Sequence, residues 1–129
     1  MSGLYTLSRI FVAFLGFTAL LGVLWFASSL REAIIIAGVL LGISSLLAAF
    51  VPQHKLSNRE TRRTLIALCV IGIGAGLVLV VDDLGASRGI EWHVVTINLI
   101  HVAALATMAV TALKRSSEEI LGSDTKRPH

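Results

Sequence analysis

Four long stretches without a charged residue occupy most of this 129-residue chain. They cover residues 10–30, 33–54, 64–81 and 92–113. A bilayer hydrocarbon core about 30 Å thick needs about 20 helical residues to cross it, because each residue adds about 1.5 Å. The first, second and fourth stretches meet this length. The third is shorter, and the two arginines before it extend its span, because their side chains snorkel toward the headgroups. The sequence therefore predicts a polytopic, all-α membrane protein with four transmembrane helices in an antiparallel bundle.

The helices are expected to form one domain, residues 1–115, followed by a polar tail. Pro52 marks the end of the second helix, because proline does not continue a helix easily. Ser57 and Glu60 have the spacing of a capping box, which predicts that the third helix begins just before its apolar part. Residues 116–129 have no apolar periodicity and are expected to be mobile. The predicted helices cover about residues 9–30, 33–52, 58–82 and 92–114.

Lysine and arginine are distributed unevenly between the two sides of the predicted bundle. Nine fall at the two termini and in the 53–63 loop, and only Arg31 and Arg88 fall on the other side. Cytoplasmic loops carry this excess, so both termini are expected in the cytoplasm, with the protein in the plasma or inner membrane. The net charge of +3 comes from the same asymmetry and favours anionic lipid headgroups over nucleic acid as a partner. The expected headgroup ligands are Lys55, Arg59, Arg62 and Arg63.

Small residues recur at helical spacing in the second and third helices. Such surfaces let two backbones approach closely, which drives helix association inside a membrane. This close packing can occur within one chain or between the chains of an oligomer, and the spacing of small residues is the same in both cases. The expected helix-packing residues are Gly38, Gly42, Ser45, Ala49, Gly72 and Gly76.

The fourth helix carries two polar residues within its span, Asn98 and His101. An ionisable residue near the middle of a membrane is costly and normally faces protein interior or water. We expect the imidazole to bond to Asn98, Ser44 or Ser45, as interhelical polar contacts do. Two alternatives stay open, a proton or substrate pathway and axial ligation of a haem iron or a chlorophyll magnesium, so the cofactor is left unknown. No metal ligands are expected elsewhere.

Other polar residues are expected to be structural. The hydroxyl groups of Thr107 and Thr111 can bond back to their own helix. Cys69 is the single cysteine, so no intramolecular disulfide is possible and a buried packing role is expected. Asp82 and Asp83 are expected to be solvated loop acids near Arg88.

The general plan is similar to that of GtrA-like proteins, which are implicated in moving lipid-linked sugars. The similarity lies in Arg9, Ile10 and Phe11 opening the first helix, in residues 45–50 and in Asn98. The aromatic and asparagine-rich ends of that family's even-numbered helices are missing. The sequence is therefore not assigned to that family.

Three classes of function are consistent with these features. The first is a non-enzymatic accessory or assembly subunit that packs with itself or with a larger membrane complex. The second is a small dimeric carrier for a lipid-linked or neutral solute, with Asn98 and His101 near its pathway. The third is a cofactor-bearing subunit with His101 as axial ligand. The chain contains no Cys-x-x-Cys or His-x-x-x-His motif and no paired carboxylates within the spans, so no enzyme is predicted.

Overall fold

A computed structural model describes residues 2–26, 28, 32–85 and 92–126, and nearly all of these residues are helical. The elements are α1 (Ser2–Phe26), α2 (Glu32–Ala49), a 3-10 helix (Gln53–Ser57), α3 (Arg59–Leu84) and α4 (Trp92–Lys126). By length and composition, α1 to α4 are each able to cross a membrane. The prediction of an all-helical chain with four helices of membrane-spanning length is confirmed.

Each long helix packs against two others. α2 contacts α1 and α3, and α4 contacts α3 and α1, so α2 and α4 lie diagonally across the centre. The Tyr5 hydroxyl group donates to the Val51 carbonyl oxygen, which shows that the start of α1 lies beside the end of α2. The other end of α1 lies beside the start of α2, where Gly38 packs against Val23. These two helices therefore run in opposite directions.

The first helix begins at Ser2, seven residues before the predicted start at residue 9. Tyr5 is fully buried, and Arg9 lies inside the helix with its Nε donating to the Ala49 carbonyl oxygen at 3.0 Å. Carbonyl groups at a helix end have no partner within the helix, and these two side chains supply donors around the end of α2. Arg9 is therefore a contact between helices and does not mark a helix boundary.

The start of α3 differs from the predicted capping box by one residue. Asn58 is the N-cap, and its Oδ1 accepts a hydrogen bond from the backbone nitrogen of Glu60 at 2.9 Å. Ser57 is the last residue of the 3-10 helix, and its hydroxyl group donates to the His54 carbonyl oxygen at 3.1 Å. Asparagine and serine are both good N-caps, so the preceding 3-10 turn decides which one is used.

The fourth helix continues to Lys126, where the sequence predicts a mobile tail from residue 116. Extending an existing helix adds one hydrogen bond for each residue that is ordered, without a new nucleation step. Residues 92–126 contain no proline, and the next one is Pro128. Hydrophobic periodicity predicts the apolar part of a helix, and it does not predict how far the polar end of that helix extends.

The core lies along the four helix contacts and includes Cys69 as a buried free thiol, as predicted. Its largest fully buried apolar side chains are Tyr5, Leu41, Leu56, Leu65, Leu105 and Met108. Large apolar side chains also cover the outside, including Trp25 and Trp92, which are 82% and 63% exposed. Such a surface suits lipid, which is as apolar as leucine.

Candidate functional site

Two glycines bring α1 and α2 into close contact. A Cβ atom on Gly16 would lie 2.8 Å from the Cβ of Ser45 and 3.2 Å from the carbonyl oxygen of Gly42. A Cβ atom on Gly42 would lie 3.0 Å from the carbonyl oxygen of Gly16 and would clash with Leu20. The spacing of small residues predicts Gly42 but not Gly16. The signal for Gly16 in the sequence is its position four residues after Val12 and eight after Ser8, which puts the three on one helix face, and the structure buries both Val12 and Ser8.

Two further glycines lie where α3 meets its neighbours. A Cβ atom on Gly72 would lie 2.8 Å from Leu105 Cδ1 and 3.0 Å from Ser44 Oγ, and one on Gly76 would lie 2.7 Å from Val102 Cγ2. Together with Gly38, the four glycines of the predicted packing set therefore contact helices of the same chain. Ala49, the last residue of α2, is half-buried, and its carbonyl oxygen accepts from Arg9.

His101 is hydrogen-bonded across the centre of the protein. Its Nε2 lies 2.7 Å from the Oγ of Ser45, and its side chain is only 2% exposed. Ser45 is on α2 and His101 is on α4, so this bond joins two diagonal helices. Ser45 is one of the partners that the sequence predicts. Asn98, one turn before His101, is half-buried.

This geometry bears on the cofactor alternative. An axial ligand presents a free ring nitrogen to the metal at the centre of a large flat macrocycle. His101 is closed in by protein, and its Nε2 is bonded to Ser45. The arrangement therefore fits an interhelical hydrogen bond better than a haem or chlorophyll ligand.

In α2 and α4, hydroxyl groups bond to carbonyl oxygens of their own helices. The Oγ of Ser44 donates to Leu40 at 2.6 Å, and the Oγ1 atoms of Thr107 and Thr111 donate to residues four positions earlier at 2.9 Å. The prediction for both threonines is confirmed. These hydroxyl groups therefore need no partner from another helix or from a substrate.

Arg62 is the centre of a polar cluster at the end of the protein where α1 begins. Its Nε donates to the Ser116 hydroxyl group at 2.8 Å, and its Nη1 donates to the carbonyl oxygens of Leu56 at 2.9 Å and Ser57 at 3.3 Å. It is 3% exposed, which differs from the expected contact with lipid headgroups. The reason is its position on the buried stripe of α3 that continues through Leu65.

The other three predicted headgroup ligands, Lys55, Arg59 and Arg63, are exposed. The contacts of Tyr5 and Ser116 were not predicted from the sequence. Ser116 falls in the predicted tail, so no pattern connected it with Arg62.

Asp82 and Asp83 lie in the last turn of α3, not in a solvated loop as expected. Asp82 is half-buried and Asp83 is only 7% exposed. Arg88, the expected partner, lies outside the described residues. Beside them, α2 and α3 form an open groove of about 440 Å³, lined by Ala33, Ile34, Leu77, Val78, Val81 and Asp82.

Comparison with known protein families, curated proteins and solved structures finds no match to this chain.

Proposed function

We propose that this protein is a non-enzymatic accessory or assembly subunit of the cell membrane, which acts by packing against a second copy or a larger membrane complex. The observation that carries this proposal is the closed set of hydrogen bonds at the centre of the span, around His101. His101 and Ser45 bond to each other, and the hydroxyl groups of Ser44 and Thr111 bond to their own helices. A carrier or an enzyme needs polar groups that a substrate can reach.

The outer surface suits association with other membrane helices. α1 has the smallest buried share of the four spans. Packing between helices in a membrane depends on fit of side chains, since lipid offers an equally apolar environment. The large apolar side chains of α1 that are at least half exposed are Leu4, Leu7, Ile10, Phe14, Phe17, Leu21, Leu24 and Trp25.

The proposed orientation has both termini in the cytoplasm. The support is the excess of lysine and arginine at that end, where Lys55, Arg59 and Arg63 are exposed and suited to anionic headgroups. The exposed Trp25 and Trp92 then lie at the outer interface, where amphipathic rings are favoured.

Purification of the full chain in a mild detergent, followed by mass measurement and an absorption spectrum, tests this proposal. We expect a complex heavier than the 13.8 kDa chain, made of further copies or of another membrane protein, and no visible absorption band. A coloured protein would support the cofactor class instead. A purified dimer that moves a solute into vesicles would support the carrier class.

A matched pair of variants locates the association surface. Phe14→Ala with Phe17→Ala removes two large exposed side chains from α1, and Val70→Ala with Val78→Ala removes exposed side chains from α3. The α1 variant is expected to reduce the mass of the complex, and the α3 variant is expected to leave it unchanged. Equal masses for wild type and the α1 variant would contradict association through α1.

A further inference from the structure

The Asp83 side chain is buried without a hydrogen-bond partner. It is 7% exposed, and its Oδ2 is the one buried side-chain oxygen or nitrogen atom without a partner among the described residues. Burying a carboxylate without a hydrogen bond or an opposite charge is costly, so such a group normally binds a metal or a cationic partner. The interior hydroxyl and imidazole groups of Ser45 and His101, by contrast, are bonded to each other.

The position of Asp83 in its helix adds further negative charge around the buried carboxylate. It lies in the last turn of α3, where the carbonyl ends of the peptide groups make the helix terminus negative. The Gly85 nitrogen donates to the Val81 and Asp83 carbonyl oxygens, and the last carbonyl oxygens of a helix have no nitrogen four residues later in the same helix. A buried carboxylate and the negative end of a helix therefore lie together, and a cation would be attracted by both.

The size and charge of the cation follow from burial and from the number of acidic groups. A lysine or arginine from another protein would not reach a side chain that is 93% buried, since α3 and its neighbours already cover it. Ca²⁺ usually takes six to eight oxygen ligands, including several carboxylates. The described residues contain no cluster of three such ligands. One buried carboxylate is neutralised by one monovalent ion.

Among the described residues, the other charged groups near this end do not replace the cation. Asp82 is half-buried and carries the same sign, and Glu32, at the start of α2, is exposed. His93, at the start of α4, is also exposed, and both it and Asp82 already have an interaction of their own.

We propose that Asp83 and the carbonyl oxygens at the end of α3 form a binding site for a small monovalent cation such as Na⁺. The ion enters from the end of the protein that carries Trp92. It neutralises the carboxylate and holds the end of α3 in place. The site goes beyond the proposed packing function and does not depend on it.

Thermal unfolding of the full chain in nanodiscs made of neutral lipid tests this site. The unfolding midpoint is measured in NaCl and in N-methylglucamine chloride at equal ionic strength and pH. A ligand that binds only the folded state raises stability as its concentration exceeds its Kd, so the wild-type midpoint should rise with Na⁺ and then saturate. Asp83→Asn should need at least tenfold more Na⁺ for the same rise, or show none. Asp82→Asn is the matched control and should respond like wild type.

A second measurement does not depend on the variants folding. Addition of wild-type protein should broaden the ²³Na resonance, and an excess of Li⁺ should reverse this broadening. Equal midpoints of the wild type in the two salts, or an unchanged Na⁺ response in Asp83→Asn, would overturn the proposal.

Two further results would also overturn it. If Arg88→Gln lowers the midpoint in wild type but not in Asp83→Asn, and Na⁺ has no effect, then an internal ion pair supplies the positive charge. If acid raises the midpoint of the wild type but not of Asp83→Asn, and Na⁺ again has no effect, then a proton neutralises the carboxylate.

Discussion

At the scale of single residues, two polar contacts of different kinds hold the helices together. The bond between Ser45 and His101 joins a hydroxyl group to an imidazole ring in the centre of the span. The contacts of Arg62 join a guanidinium group to Ser116 and to the 3-10 helix before α3. Hydrogen bonds in membranes are weak on average, because the separated helices also find partners, whereas bonds to charged groups are stronger. The two contacts should therefore respond differently to substitution.

Replacement of His101 by Leu should lower the free energy of unfolding by only about 0.6 kcal/mol, the average for a hydrogen bond in a membrane. The freed Ser45 hydroxyl group can bond to its own helix, as Ser44 does. Ser45→Ala should have a similar effect, and the double variant should be no less stable than either single variant. Unfolding in detergent measures all three. A folded His101→Leu protein that has lost a chromophore or a transport activity would contradict the structural role.

Replacement of Arg62 by Leu should have a larger effect. It removes the donor for Ser116 and for the carbonyl oxygens of Leu56 and Ser57, and a hydrogen bond to a charged group contributes about 1.5–3 kcal/mol. Arg63→Leu is the control, since Arg63 is exposed and surface substitutions usually change stability by less than about 0.5 kcal/mol. Thermal unfolding in one detergent compares them. Equal loss in both variants would show that charge at the membrane surface, not the buried contacts, determines stability.

These two residues also show what the sequence can predict. His101 needs a partner because it is ionisable and lies in the middle of a span, and the partner set that it predicts includes Ser45. Arg62 and Arg63 are adjacent and chemically identical, so composition gives them the same role. Only the helix register separates them, because neighbouring residues point about 100° apart around an α-helix with 3.6 residues per turn.

At the scale of helices, glycines determine how closely the elements approach. Three glycines of α3 differ in this respect. Gly72 and Gly76 contact side chains of other helices, whereas a Cβ atom on Gly74 would have no atom within 4 Å. The spacing of four residues predicts Gly72 and Gly76 as packing residues and leaves out Gly74. The number of helices is predictable from the uncharged stretches, but the helix ends are not, because they depend on contacts such as that of Arg9 with Ala49.

Replacement of Gly72 or Gly76 by Leu should lower the free energy of unfolding by about 1–3 kcal/mol, the usual cost of overpacking a fitted contact. Gly74→Leu should be neutral or stabilising, because leucine is a better helix former by roughly 1 kcal/mol and the site is open. The yield of folded protein and its unfolding midpoint in detergent measure the difference. The close contact of α3 would be refuted by wild-type behaviour of both Gly72→Leu and Gly76→Leu.

At the scale of the whole molecule, the uneven distribution of lysine and arginine determines the proposed orientation. Reporters fused after Leu56, after Lys114 and at the C-terminus should behave as cytoplasmic. A reporter at Ser87 should behave as external. Enzymatic and fluorescent reporters with opposite compartment requirements give the comparison, and a cytoplasmic signal from the Ser87 fusion would contradict four crossings.

The order of the helices around the centre was not predictable in the same way. Uncharged stretches give the number of crossings, and each crossing reverses the direction of the chain. Which helices are diagonal depends on fitted contacts, such as that of Gly16 with Gly42, which bring one pair closer than another. The hydrogen bond between Ser45 and His101 then joins the diagonal pair α2 and α4.

The contacts of the first helix also determine the order of events during synthesis. Tyr5 and Arg9 donate to carbonyl oxygens 46 and 40 residues further along the chain. At about 5–20 residues per second, a ribosome needs roughly 2–9 s to add 46 residues. The N-terminal turns of α1 therefore leave the ribosome before α2 but reach their partners only after α2 has been made. A part of the chain that is made early thus becomes fixed late, and its final position depends on insertion of the second helix.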